Sequence, residues 1–228
     1  MSSAKQLIET FLEGRSPDAR YASFDFCFNY FSAFRSRSQS LAQGANLQSG
    51  CLHLMSYLGS WGMLRASSRL LREKSMRHFI PLVDLIASGE IDQLWEIDCD
   101  IYNDQNIDSM IASFYRIAAV VADENQQTLT LVTKIMLGVF GCCPAFDTRV
   151  TTALRVRYGR ECGFRRFNKE SLSLVARCYE ETKSTVNRYA KRTRTIDFVT
   201  GKQTETNYTK AKVLDMILFQ ANGKRFTS

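Results

Sequence analysis

Apolar residues recur at helical spacing along most of the chain, and this pattern predicts a succession of α-helices. In the first of them, residues 3–14, Leu7, Ile8, Phe11 and Leu12 share one face. Comparable patterns predict further helices over residues 23–34, 51–72, 76–87, 107–122, 128–140, 147–158 and 169–191, and a last helix from a cap at Asn207 or Thr209 to residue 220. The expected fold class is therefore all-α.

Breaks in this pattern bear on the domain organisation. Only three prolines occur, so long helices can run without interruption. Residues 195–206 favour extended backbone, as a small hairpin that turns at Thr200-Gly201. A polar break at residues 123–125 suggests a helical subdomain over 1–125 and a hairpin-containing basic subdomain over 126–228, flanking a cleft. At 228 residues, one compact domain is the alternative.

Composition excludes several classes of protein. No apolar run approaches the roughly 20 residues that a membrane-spanning helix needs, and the first residues lack the apolar core of a signal peptide. The seven cysteines include no Cys-x-x-Cys pair, and there are only two histidines. We therefore expect no metal site, no cofactor and no membrane partner. Buried, reduced thiols in a cytoplasmic protein are the favoured interpretation.

Positive charge is concentrated in the second half of the chain. The segment from Arg149 to Arg194 contains 13 lysines and arginines but only 4 acidic residues, a local charge of +9 in a chain whose net charge is +7. A basic half beside a mildly acidic remainder is typical of polyanion binding, because neutralised phosphates supply most non-specific affinity. Since acids are sparse here, few of these cations should pair internally; the alternative is an ordinary solvated helix surface.

The segment from Thr128 to Val150 carries the candidate chemistry. Lys134 lies among apolar neighbours on a predicted helix, where desolvation disfavours the ammonium form and favours a nucleophilic amine. After a Gly-Cys-Cys-Pro turn, Asp147 stands where it can cap the next helix. A carboxylate fixed there could stabilise positive charge on a departing sugar or activate an attacking group.

Lys134 in Leu-Val-Thr-Lys and Asp147 in Pro-Ala-Phe-Asp resemble, in order and setting, the catalytic lysine and aspartate of the helix-hairpin-helix DNA glycosylases. The 8-oxoguanine DNA glycosylase branch is the most similar, over about 40 residues. The resemblance implies a helix-hairpin-helix bundle and a bifunctional N-glycosylase and lyase, which releases a flipped base and captures the sugar on the lysine. Glycosylase-like proteins also occur in bacterial antiphage operons, so antiviral defence is one setting that it suggests.

Two features depart from the family pattern. The family's Gly-x-Gly hairpin, which grips a phosphate, is replaced by Thr130-Leu131-Val132-Thr133, and the step from Pro144 to Asp147 has one residue too many. Phosphate binding is instead expected from cations that follow the aspartate. The candidates are Arg149, Arg155, Arg157, Arg165, Arg166 and Lys169.

The leading hypothesis is thus a glycosylase-like enzyme that acts on a modified base in nucleic acid, with DNA favoured over RNA. Two alternatives stay open: a non-catalytic nucleic-acid or protein-binding module on the same scaffold, and glycosidic chemistry on free nucleotides. For Lys134 the structural alternative is a lysine that reaches solvent from a core-facing helix. Trp61, Arg65 and Arg69 would share one helix face, as a nucleotide-stacking stripe or as core with a basic rim.

Overall fold

Helices account for most of the chain in the computed structural model, which describes residues 2–64, 68–122 and 128–228. Ten α-helices lie in these ranges: α1 (Ala4–Glu13), α2 (Ala22–Ser32), α3 (Gly44–Ser60), α4 (Arg69–Arg72), α5 (Ile80–Ala87), α6 (Asp104–Val121), α7 (Leu129–Phe140), α8 (Thr148–Tyr158), α9 (Lys169–Arg192) and α10 (Lys210–Ala221). The prediction of an all-α fold is confirmed. No helix within the described ranges is both long enough and apolar enough to span a bilayer.

Two short strand pairs join parts of the chain that are distant in sequence. Strands β2 (Arg194–Ile196) and β3 (Gln203–Asn207) pair antiparallel and confirm the predicted hairpin, with Gly201 at φ +65° in its turn. The sequence did not predict the other pair, in which β1 (Ser2–Ser3) lies parallel to β4 (Phe226–Thr227). Two-residue strands carry too little pattern to be read from sequence.

The prediction of one long helix over residues 51–72 is wrong. Helix α3 begins earlier, at Gly44, and ends at Ser60. Its end is a Schellman turn, in which Gly62 at φ +78° donates to the Gly59 carbonyl and Met63 donates to the Leu58 carbonyl. Left-handed backbone is accessible to glycine at little cost, so Gly62 stops a helix that hydrophobic spacing alone would continue.

Buried hydrophobic side chains from both predicted subdomains form one cluster. Helix α7 lies within it, packing on α2, α3 and α6, while α10 packs on α1, α8 and α9. Every residue of α7 from Leu131 to Phe140 is buried, including the polar Thr133 and the charged Lys134. The core is therefore continuous across the predicted boundary at residue 125.

Helices α3 and α7 approach each other closely at Gly138. A Cβ atom at this position would lie 2.3 Å from Cε1 of the buried Tyr57 ring, far inside van der Waals contact. One helical turn away, Trp61, the residue that directly follows α3, and Lys134 of α7 meet in the same interface, with the Lys134 Nζ 5.4 Å from the centre of the Trp61 ring. The missing side chain at position 138 thus sets the spacing at which these two residues meet.

We expect Gly138→Ala to lower the free energy of unfolding by about 1–3 kcal/mol, because the added methyl group must displace the Tyr57 ring in a packed core. Gly163→Ala is the matched control, since a Cβ there would meet only the Arg165 side chain at 3.9 Å. It should stay within about 1 kcal/mol of the unmodified chain. Urea denaturation measures both, and equal stability of the two variants would contradict the proposed crowding.

Candidate functional site

The turn after α7 brings the chain back along the helix that it has just left. Gly141, at φ +67°, ends α7 where a Cβ would lie 2.7 Å from the Thr209 side chain. The Phe146 N–H then donates to Thr133 Oγ1 at 2.8 Å, and the Thr130 hydroxyl donates to the Phe146 carbonyl at 3.0 Å. Thr130, Thr133 and Lys134 share one face of α7. Fixing Phe146 on this face therefore places the next residue, Asp147, beside Lys134.

The Lys134 ammonium and the Asp147 carboxylate form a salt bridge, with 3.0 Å between Nζ and Oδ2. The lysine side chain is 4% exposed and the aspartate side chain 16% exposed. The other carboxylate oxygen, Oδ1, accepts the backbone N–H groups of Arg149 and Val150, so Asp147 is the N-cap of α8, as predicted. The carboxylate is thereby held at both oxygens, and a proton can pass directly between amine and acid.

A second buried salt bridge lies close to the first. On α10, Lys212 Nζ and Asp215 Oδ2 are 3.4 Å apart, with side-chain exposures of 1% and 5%. Asp215 Oδ1 also accepts the Ala145 N–H at 3.0 Å, two residues before Asp147. Asp215 therefore fixes the same turn that Thr130 and Thr133 fix from α7.

Burial shifts the titration of this second pair. Desolvation raises the pKa of Asp215, an effect that the Lys212 ammonium only partly opposes. Desolvation likewise lowers the pKa of Lys212 against the attraction of the Asp215 carboxylate. Both directions favour the neutral forms. Burial, with the carboxylates of Asp215 and Asp147 nearby, also raises the pKa of Tyr57 well above its ordinary range.

An aromatic cluster covers both amines. The Nζ atoms of Lys134 and Lys212 lie 5.4 Å and 5.1 Å from the centre of the Trp61 ring. Trp61 stacks on Tyr21 at 5.3 Å, and Phe219 meets it edge-on at 5.4 Å. Trp61 Nε1 is buried and has no hydrogen-bond partner among the described residues. Such cation–π contacts partly replace the water that both ammonium groups lose on burial.

Three of the six predicted phosphate-binding cations share a cavity with Asp147. Arg155, Arg165 and Arg166 line an open cavity of about 690 Å³, whose wall also includes Asp147. All three are exposed, and Arg155 Nε donates to the Gly163 carbonyl at 2.7 Å. The structure thus assembles a basic wall and the candidate carboxylate around one space.

The other three predicted cations lie elsewhere. The Arg149 guanidinium packs on Phe219, 4.6 Å from its ring centre. Arg157 donates to Glu181 at 2.6 Å, and Lys169 pairs with Asp104 at 3.0 Å. The expectation that few cations of the basic segment pair internally is only partly met, because five of the thirteen lysines and arginines between Arg149 and Arg194 form salt bridges with described residues. Those five are Arg157, Lys169, Arg177, Lys183 and Arg194.

Sequence reasoning missed Lys212 and Asp215. The signal was present, since both are charged residues on a segment that is otherwise apolar from Ala211 to Phe219. A lysine among apolar neighbours is the same observation that singled out Lys134. Of the three residues predicted to share a helix face for nucleotide stacking, Trp61 belongs to the aromatic cluster. Arg65 and the side chain of Arg69 lie outside the described residues.

Comparison of the chain with protein-family models, with curated proteins and with solved structures gives no match. A function must therefore be inferred from the geometry of the Lys134–Asp147 pair and its surroundings.

Lys134→Met and Asp147→Asn should be strongly coupled in a double-mutant cycle, by about 1–3 kcal/mol, because each change leaves a buried partner charge uncompensated. The asparagine side chain of the second variant keeps an oxygen that can cap α8, so the cycle isolates the ion pair. The exposed Lys183–Glu180 pair, 52% and 56% exposed, is the control and should couple by about 0.5 kcal/mol or less. Urea denaturation of the variants in both cycles measures the two coupling energies. Equal coupling energies would contradict the conclusion that the Lys134–Asp147 pair is buried.

Proposed function

We propose that the chain is an N-glycosylase that acts on a modified base in nucleic acid, with an associated lyase step. The observation that carries this proposal is the 3.0 Å contact between Lys134 Nζ and Asp147 Oδ2, beside a cavity lined by arginines. The order and setting of these residues, which resemble those of helix-hairpin-helix glycosylases, support the same reaction class.

In the proposed reaction, the neutral Lys134 amine attacks C1′ of the sugar. The C1′–N glycosidic bond breaks, and the base leaves with the bonding electron pair and takes up a proton. The lysine nitrogen, now bonded to C1′, loses a proton. Its lone pair then forms a C1′=N bond as the C1′–O4′ bond breaks and O4′ takes up a proton, which opens the sugar ring and gives a protonated imine. Loss of the proton at C2′ then expels the 3′ phosphate, which is the lyase step.

Asp147 fits two parts of this reaction. Its Oδ2 lies where it can take the proton that Lys134 must lose before attack. The same carboxylate can stabilise the positive charge that develops on the sugar as the base departs. Because Oδ1 is fixed by the first N–H groups of α8, the acid needs no reorganisation during the reaction.

The enclosure of Lys134 adds a requirement. A side chain that is 4% exposed cannot be reached by a sugar carbon, so the groups around the amine must move when substrate binds. Trp61 is the ring that lies over it. The same enclosure favours the rival function, a non-catalytic nucleic-acid-binding module in which the ion pair only stabilises α7 and α8.

Borohydride trapping separates these two functions. We expect an oligonucleotide containing an abasic site or 8-oxoguanine to form a covalent adduct with the protein when borohydride is added, because reduction of the imine fixes the sugar to Lys134. Denaturing gel electrophoresis and peptide mass spectrometry would detect the adduct and locate it.

The adduct should disappear in Lys134→Gln and persist in Lys183→Gln, which removes an exposed lysine of α9. In Asp147→Asn its rate of formation should fall by about 100-fold or more. Circular dichroism checks that each variant is folded. Adduct formation that survives in Lys134→Gln, or oligonucleotide binding without any adduct, would refute the catalytic proposal, and the second outcome favours the binding module.

A further inference from the structure

The cavity beside Asp147 is built from a loop that holds two arginines between two buried rings. In the loop after α8, Phe164 and Phe167 are buried, whereas Arg165 and Arg166 between them are exposed and line the cavity. Neither arginine forms a salt bridge with any described residue. Their charge is therefore uncompensated and available to a ligand.

The backbone of this loop is strained at Phe164. Its φ of +51° lies in the left-handed region, which is costly for an aromatic residue. Burial of the Phe164 ring opposes this cost, and the Phe164 N–H donates to Cys162 Sγ at 3.3 Å. From the other side, Arg155 Nε binds the Gly163 carbonyl. The loop thus holds a conformation that directs Arg165 and Arg166 to the cavity.

Aromatic rings form another wall of the same cavity. Phe114 and Phe167 stack with 4.9 Å between ring centres and 13° between planes. Next to them, Tyr115 lines the cavity with 63% of its surface exposed. An exposed phenol ring in a basic cavity offers a face on which a planar group can stack.

We propose that this cavity binds an unpaired segment of nucleic acid, with a phosphate on Arg165 and Arg166 and an adjacent base on Tyr115. The inference deepens the proposed function and rests on it for the role of Asp147. Guanidinium groups bind phosphate oxygens in bidentate fashion, and aromatic rings stack on bases of any sequence. A duplex buries the faces of its bases in its own stack, so the aromatic wall favours a single strand. The volume of about 690 Å³ is sufficient for a nucleotide unit.

Fluorescence anisotropy with a fluorescein-labelled 12-nucleotide oligothymidylate tests this site. Arg165→Gln/Arg166→Gln should weaken binding by about ten-fold or more, and should reduce the slope of log K against log salt by about 0.7, because the one phosphate that the two arginines share is no longer neutralised. Tyr115→Ala should weaken binding by about five-fold or more without changing the slope. A duplex of the same length should bind more weakly than the single strand.

The control variant, Arg188→Gln/Lys191→Gln, removes the same charge from exposed positions on α9 outside the cavity. It should retain most of the affinity. Equal losses in the two double variants would indicate diffuse charge attraction and overturn the proposed site, as would a duplex that binds as tightly as the single strand.

Borohydride trapping keeps this proposal separable from the proposed function. If the single strand binds through Arg165, Arg166 and Tyr115 but no substrate gives an adduct, the proposed binding site is supported and the proposed glycosylase activity is refuted. If an adduct forms on Lys134 and neither trapping nor binding changes in Arg165→Gln/Arg166→Gln, the glycosylase activity is supported and the proposed binding site is refuted.

Discussion

The close approach of α3 and α7 is the constraint on which the candidate site depends. Tyr57 occupies the space that a side chain at Gly138 would fill. Trp61, just after the end of α3, lies over the amine of Lys134, one turn before Gly138 on α7. Helices separate by the size of the side chains between them, so a larger residue at 138 would move Lys134 away from Trp61. The position of the amine is therefore a property of the packed core, and a single glycine controls it.

Four ionisable groups, on α7, at the N-cap of α8 and on α10, lie close together in this interior. Burying them costs hydration free energy, and an apolar core of the same shape would not incur that cost. Each buried ion pair loses the hydration of two charges, and hydrophobic residues of similar volume are often as stabilising. Two such pairs, Lys134–Asp147 and Lys212–Asp215, lie beside one tryptophan. Of these groups, Lys212 and Asp215 have pKa values shifted by burial, and ionisable groups with shifted pKa values cluster at functional sites more often than elsewhere.

The sequence predicted most of the helices, because their amphipathic faces and caps are local features. The Lys134–Asp147 contact was also within reach, since a cap residue and a lone lysine flank one short turn. By contrast, the sequence could not show which arginines line the cavity and which form salt bridges elsewhere. That division depends on partners far along the chain, such as Glu181 for Arg157. Lys212 and Asp215 could have been identified as charged residues on an apolar segment. The hydrogen bond between the Ala145 N–H and Asp215, however, joins residues 70 positions apart, and no local sequence pattern predicts it.

The placement of Trp61 has a practical consequence. The chain contains only two tryptophans, and the other, Trp95, packs against Phe140 at 4.7 Å. Indole emission responds to nearby charge and to the polarity of the surroundings, and Trp61 is the indole that lies over both amines. The molecule therefore carries a fluorescent reporter at the Lys134–Asp147 pair, and Trp95 supplies an internal reference in the same spectrum.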